Sequence, residues 1–273
     1  MKKILAILAM VFIFANTAQT EPPENPLPSG GTVNTNFIQP DYRIFFFCRY
    51  PGEVWADANK SSADDTQMCW AGSASNMLYM AGWADDFDSE DEVFDHFVDH
   101  WTDRPGWMLA ACKWWFDGTN LYEGSLSHSQ IDVEGGGAFW PELDIFDFYV
   151  VRSFYNSGQE LAVPFILELL ESGHAVSIAV SYKTPDTISS PIPGFLDAHA
   201  LTVWGYEKNY YGEVEYLYIT NTDDMEYALV REEVECEEGY WYIRNGWIYS
   251  VQGLIIKGSE FLYQYKIVED KLK

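Results

Sequence analysis

The spacing of apolar residues changes period at Gly173. Before it, apolar or small side chains recur at helical intervals: Trp70, Ala74, Met77, Leu78 and Ala81 follow Cys69, and Val93, Phe94, Phe97 and Val98 lie on one side of residues 89–100. A further helix opens at Pro164 and runs to Ser172. Gly82 and Gly173 stop the first and last of these helices, and Asp88 or Ser89 caps the middle one. Beyond Gly173, Val176, Ile178, Val180 and Tyr182 alternate with smaller residues, which marks a strand, and the remainder reads as strands joined by tight turns. Helices early and strands late predict an α+β architecture. Two aromatic-rich segments, 107–116 and 135–141, lie between these blocks without an assigned element.

The N-terminus reads as an export signal. Lys2 and Lys3 precede an apolar run from Ile4 to Phe14, and small residues follow at Ala15, Thr17, Ala18 and Thr20. This gives a signal peptide over residues 1–18, with several cleavage points that fit, and a Pro/Gly/Asn-rich flexible leader over 19–41. One folded domain spans 42–268, starting with the strand candidate Ile44-Phe45-Phe46-Phe47. The apolar run is too short for a comfortable membrane span and no later segment is long enough, so the expected location is extracellular or periplasmic, with no membrane partner. Forty-two acidic residues against 16 basic ones give a formal charge of −26, a surface that repels phosphate backbones and excludes nucleic acid as a partner.

Within that domain the chemistry gathers on few residues. Cys69 opens the small-residue run Trp70-Ala71-Gly72-Ser73-Ala74, where a helix N-terminus favours the thiolate and small side chains allow close packing. His199 begins a strand-like run, and a second run ends at Thr220-Asn221-Thr222-Asp223. The two runs pair as a hairpin through Lys208-Asn209-Tyr210-Tyr211-Gly212. A turn centred on residue 210 places His199 opposite Asn221, which can accept a hydrogen bond from the imidazole, and Asp223 points to the same face. Nucleophile, base and orienting group thus follow one another in the order used by thiol hydrolases. If Cys69 stays reduced, at most one disulfide forms among Cys48, Cys112 and Cys236. His96 and His100 stand four apart on an acidic helix but lack the glutamate of a metalloprotease motif, and are read as a solvated polar face; no metal or cofactor is expected.

These residues carry a resemblance. The chain resembles the streptococcal immunoglobulin G-degrading endopeptidase family (IdeS/Mac), secreted cysteine peptidases with a papain-like fold. The likeness lies in Cys69 to Leu78, in His199 to Asp223, and in Phe139-Trp140-Pro141-Glu142 with Phe146-Asp147 to Tyr149. It implies a papain-like cysteine peptidase fold in which the active-site helix packs against an antiparallel sheet. It further implies Cys69 as nucleophile, His199 as base and Lys60, spaced from Trp55 as in the family, as an oxyanion donor beside the Cys69 N–H. Asn221 stands where the family has its orienting aspartate, and Asp223 matches its second aspartate. Gln67 is a substitute oxyanion donor, since Ala63 occupies the place of the papain glutamine. The implied function is a secreted endopeptidase acting on protein substrates, host immunoglobulin among them. The alternatives are a secreted non-catalytic binding domain on the same scaffold and an acyltransferase or amidase of related geometry.

Overall fold

The small-residue run after Cys69 forms helix α1 (Cys69–Met80), and Gly82 turns the chain behind it at φ +79°, a left-handed conformation that only glycine adopts without strain. Ser89 caps helix α2 (Glu90–His100): its Oγ accepts the Glu92 N–H at 3.2 Å, while Glu92 Oε2 accepts the Asp88 N–H at 2.9 Å. The aromatic segment near Trp107 adds helix α3 (Met108–Asp117), which no apolar period revealed. The reason is burial on every side: Met108, Ala110, Ala111, Cys112, Trp114, Trp115 and Phe116 are all buried, and a helix enclosed all round has no polar face to set a period. The Gly135–Pro141 segment runs back across its end, so that the N–H groups of Ala138, Phe139 and Trp140 satisfy the Trp114, Trp115 and Phe116 carbonyls at 2.8–3.0 Å. Helix α4 (Ala162–Glu171) starts just ahead of Pro164.

The strands are β1 (Arg43–Phe46), β2 (Tyr149–Ser153), β3 (His174–Ser181), β4 (Ala198–Lys208), β5 (Val214–Thr220), β6 (Val230–Glu233), β7 (Glu235–Glu237), β8 (Tyr240–Ile243), β9 (Gly246–Ile255) and β10 (Tyr265–Val268). They join in one ten-stranded sheet with the path β10-β1-β4-β3-β9-β8-β7; β5 also pairs β4 and continues to β6, and β2 also pairs β9. Every pairing is antiparallel. The structure is a computed structural model and describes residues 43–47, 55–61, 65–154, 157–182, 198–224, 226–244, 246–258 and 265–268. The chain divides into Met1–Ile38 and Gln39–Lys273, and all described residues lie in the second unit. The signal peptide, the 19–41 leader and Cys48 lie outside the described residues.

This frame corrects the expected fold. The α+β, papain-like arrangement implied by the resemblance is not the one adopted: the molecule is mostly antiparallel sheet, curled into a nearly closed barrel, with four α-helices among the described residues. The physical cause lies in the two longest strands. β4 has 11 residues and β9 has 10, more than one neighbour per edge covers, so different stretches of each take different partners and the sheet branches and curls. Segments far apart in sequence, at 43–46, 149–153 and 265–268, are drawn into the same sheet.

The β4–β5 register also departs from expectation. Thr202 pairs Thr220 and Val203 pairs Ile219, with irregularities between Val203 and Gly205 and between Glu207 and Lys208. Extending the Thr202–Thr220 register sets His199 across from Asp223 rather than Asn221. The slip is two residues, which preserves the face because side chains alternate with period two. The extra residue at the first irregularity is Trp204, whose indole N–H donates to Thr220 Oγ1 at 2.9 Å.

Candidate active site

Cys69 is the first residue of α1, so its own N–H has no acceptor within the helix. The helix is placed by a buried polar staple. Asn76 is fully buried; its Oδ1 accepts the Ala58 N–H at 2.7 Å and its Nδ2 donates to Thr202 Oγ1 on β4 at 3.1 Å. The extended segment 55–61 is thereby held between α1 and the end of β5, where Thr220 Oγ1 donates to the Ala56 carbonyl and the Lys60 N–H donates to the Thr222 carbonyl, both at 2.9 Å. Close approach of helix and loop depends on Gly72, where a Cβ would lie 2.5 Å from Thr222 Cγ2.

At this junction the structure brings together all five residues singled out from the sequence. His199 Nε2 lies 2.6 Å from Asn221 Oδ1, which also accepts the Asp223 N–H at 3.3 Å. An amide oxygen accepts only, so Nε2 carries a proton and Nδ1 is the nitrogen left for the thiol. The Cys69 thiol and the His199 imidazole are close enough for each to shift the other's ionisation. Burial pushes the Cys69 thiol up, but the hydrogen bond and charge of His199, with the Ala200 N–H, outweigh it and hold the thiol below its ordinary range. Burial likewise disfavours the charged imidazole, yet Cys69, Asp223 and Asn221 together raise His199 above the usual histidine range. The two shifts are those of a thiolate–imidazolium pair.

Asp223 is shared. Its Oδ2 lies 3.7 Å from His199 Nδ1, while its Oδ1 pairs with Lys60 Nζ at 2.5 Å. Lys60 Nζ also donates to the Thr66 carbonyl at 2.7 Å. Two of the three ammonium donors are therefore committed, leaving one for the oxyanion role implied by the resemblance. The geometry adds a second duty: the Lys60 ammonium screens the Asp223 carboxylate, whose charge otherwise opposes ionisation of the Cys69 thiol. Lys60→Met is expected to slow Cys69 alkylation at mildly acidic pH about tenfold, the effect of one pKa unit, and added Asp223→Asn is expected to restore it. Iodoacetamide kinetics on the two variants check this; unchanged kinetics in Lys60→Met would leave the lysine with the oxyanion alone.

Asp103 was not recognised as part of this site. Its Oδ1 accepts the Gln67 N–H at 2.6 Å and its Oδ2 accepts from Thr66 Oγ1 at 2.7 Å, fixing the turn that delivers Cys69. The signal was long-range and had no sequence pattern. His96 and His100 are not a solvated face but sit half-buried among aromatic rings: His96 Nε2 is 2.6 Å from the Gly136 carbonyl, and both imidazoles pack on Trp114. No group of metal-ligating side chains occurs among the described residues. Cys69, Cys112 and Cys236 are free thiols; Cys112 is fully buried, which pushes it far above the usual thiol range, and Cys236 is exposed.

Behind the loop that carries Asn221 and Asp223 lies Asp57, fully buried. Its Oδ2 accepts the Ala228 N–H at 2.9 Å, and its own N–H donates to Glu90 Oε1 at 3.0 Å. Burial first, then the neighbouring Asp224 and Glu90 carboxylates, raise this carboxyl from 3.8 to about 7. An acid whose folded value is raised favours folding below its unfolded value, near 3.8, and that contribution is lost as pH rises through about 7. Asp57→Asn is therefore expected to stabilise the protein above neutral pH, by on the order of 2–4 kcal/mol, and little near pH 4. Urea denaturation of both proteins across that range tests it; equal pH dependence would contradict it.

A cavity of about 340 Å³ opens beside the pair, lined by Cys69 and His199 at one end and by Trp107, Met108 and Val151 towards the other. No protein-family model matches the chain, and no curated protein is significantly similar to it.

Proposed function

We propose that the chain is a secreted cysteine endopeptidase. The observation that carries this reading is the activated pair: a thiol held below its ordinary range by an imidazole that is itself raised, at a helix N-terminus, on the wall of an open cavity. A thiol that only filled space would resemble Cys112, where burial raises the pKa with nothing to offset it. Among the alternatives, a non-catalytic binding domain has no use for the ion pair.

The reaction follows from these residues. The Cys69 thiolate adds to the scissile carbonyl, and the negative oxygen is met by the Cys69 N–H and the remaining Lys60 N–H, with Gln67 lining the same cavity. His199 gives its Nδ1 proton to the leaving amine as the carbon–nitrogen bond breaks, leaving a thioester. Water, deprotonated by His199, then displaces the sulfur and regenerates the thiolate. Asn221 fixes the ring throughout without adding charge, and the partly screened Asp223 supplies it. No step calls on a cofactor.

The resemblance of residues 69–78 and 199–223 to immunoglobulin G-degrading peptidases makes immunoglobulins the first substrates to try. The reading is tested by incubating the mature protein with a panel of proteins that includes immunoglobulins and measuring product masses and new N-termini. Cleavage at defined bonds with the wild type and none with Cys69→Ala supports it. Intact substrates, or masses showing transfer to an amine acceptor instead of hydrolysis, would reject it.

A further inference from the structure

Carboxyl groups from three elements gather behind the loop that carries Asn221 and Asp223. Asp57 comes from the extended segment 55–61, Glu90 and Asp91 from the first turn of α2, and Asp224 from the chain that follows β5. Asp57 and Glu90 are buried and Asp224 is half-buried. Backbone donors hold them there: the Asp57 N–H on Glu90 Oε1 at 3.0 Å, the Asn59 N–H on Asp91 Oδ1 at 3.2 Å, and the Ala228 N–H on Asp57 Oδ2 at 2.9 Å. Among the described residues no lysine or arginine pairs with any of the four. Lys60, the cation nearest in sequence to Asp57, is committed to Asp223 and to the Thr66 carbonyl.

Buried carboxylates without a cation are costly, and the unsatisfied atoms show what relieves the cost. Asp57 Oδ1 and Asn59 Oδ1 are both buried acceptors with no donor, and the Asn59 amide lies close enough to the Asp57 carboxyl to shift its ionisation. One proton on Asp57 removes a charge and supplies a donor in the same place. A metal ion would need several carboxylates on one centre, and no three are so placed among the described residues. The remaining group facing Asp57 is Tyr227, whose phenol burial, and then Glu90 and Asp57, push above its ordinary range, so it stays neutral. The same contacts fasten the loop. Segment 55–61 is tied to it at Thr222 through the Lys60 N–H at 2.9 Å, at Glu226 through Asn59 Nδ2 on the carbonyl at 3.4 Å, and at Ala228 through Asp57 itself. Asn221, which fixes His199, lies next to the first of these ties, and its carbonyl accepts the Asp224 N–H at 3.2 Å.

We propose that Asp57 is a positioning residue whose proton clamps the catalytic loop: the neutral acid holds the loop on segment 55–61, and loss of the proton loosens the loop and its hold on His199. The proposal rests on the peptidase reading for its consequence and on these hydrogen bonds for its mechanism. The pH range follows from the surroundings of the acid. Burial, then the facing Asp224 and Glu90 carboxylates, raise it from 3.8 to about 7 while the loop is closed. In the opened loop the acid regains its ordinary value near 3.8. Opening therefore becomes easier by about tenfold per pH unit between those two values and levels off above the higher one. Cleavage is accordingly favoured on the acid side of neutrality, where the clamp is shut.

The test is residue-resolved amide hydrogen exchange of the wild type and Asp57→Asn between about pH 5 and 8, corrected for the intrinsic pH dependence of exchange, together with the pH profile of kcat/KM. Asparagine keeps an acceptor for Ala228 and a donor where the proton stood, and carries no charge. In the wild type, protection of the Lys60 and Ala228 amides is expected to fall about tenfold per pH unit up to neutrality and to stay below that of strands β3 and β9, as local opening requires. In Asp57→Asn it is expected to be flat, and the ratio of wild-type to variant kcat/KM is expected to fall as pH rises. Asp224→Asn removes one facing charge, so a shallower fall in protection is expected there; with the wild type it carries the test should Asp57→Asn fail to fold. Protection that is flat in the wild type, equally steep in Asp57→Asn, or equal to that of β3 and β9 at every pH would overturn the clamp and leave the peptidase reading standing. Parallel kcat/KM profiles for wild type and Asp57→Asn would do the same. A pH-dependent loop in a protein that cleaves nothing at any pH would support the proton-held loop and overturn the peptidase reading.

Discussion

Replacing Cys69 by alanine is expected to lower peptide-bond cleavage by at least about 10⁴-fold with the fold unchanged, because removing the nucleophile of a covalent mechanism leaves only the residual effect of binding and the oxyanion donors. Alanine is smaller than cysteine, and the position lies at a helix start on a cavity wall, so no packing is disrupted. His199→Ala is expected to cost nearly as much, since thiolate and imidazolium are made by the same proton transfer and their removal is not additive. Asn221→Ala should cost less, because the ring keeps its strand position and Asp223 nearby while losing the 2.6 Å bond that fixes its tilt. Cleavage assays on the three variants, with circular dichroism to verify folding, check the order. Full activity in Cys69→Ala would place the chemistry elsewhere.

The second large effect is at a residue that touches no substrate. A Cβ at position 72 would lie 2.5 Å from Thr222 Cγ2 and 3.1 Å from Thr222 Cβ, distances at which one element must move. Thr222 sits between Asn221 and Asp223, so relief of the clash displaces the two groups that hold His199. Gly72→Ala is expected to reduce cleavage on the order of 10²-fold, the scale of an ångström-sized misplacement, and to lower stability by about 1–3 kcal/mol from overpacking. Thr222→Ser removes the offending methyl. The double variant Gly72→Ala/Thr222→Ser is therefore expected to recover most of the activity, although alanine alone would be the better helix former. If Thr222→Ser does not rescue, contact between helix and loop is not what positions the histidine.

The site was more legible in the sequence than the fold, for a physical reason. Cys69, His199, Asn221 and Asp223 sit at element boundaries marked by local signals: a small-residue helix start and a hairpin whose face parity survives a two-residue slip of register. The reading anticipated the meeting of His199 and Asn221 but for the wrong pairing, since the turn held by Asn209 is centred on residue 211 rather than 210, which moves the partner to Asp223, and the irregularities at Glu215 and Trp204 cancel. The sheet was not legible in the same way. Whether β4 and β9 share their edges among several partners depends on contacts between segments as distant as 43–46 and 265–268, for which alternation in one strand gives no sign. Helix α3 escaped because burial erased its period, and Asp103 because it reaches Thr66 and Gln67 from a separate loop.

Everything proposed about chemistry depends on the sulfur of Cys69 being ionised by the proton it has given to His199. The direct measurement is the rate of iodoacetamide modification of each cysteine as a function of pH, resolved by peptide mass, with the exposed Cys236 of the same chain as comparator. The expected result is rapid labelling of Cys69 extending into mildly acidic pH, well ahead of Cys236, and loss of that advantage in His199→Ala. Cys69 labelling that rises only under alkaline conditions, alike in wild type and His199→Ala, would contradict it.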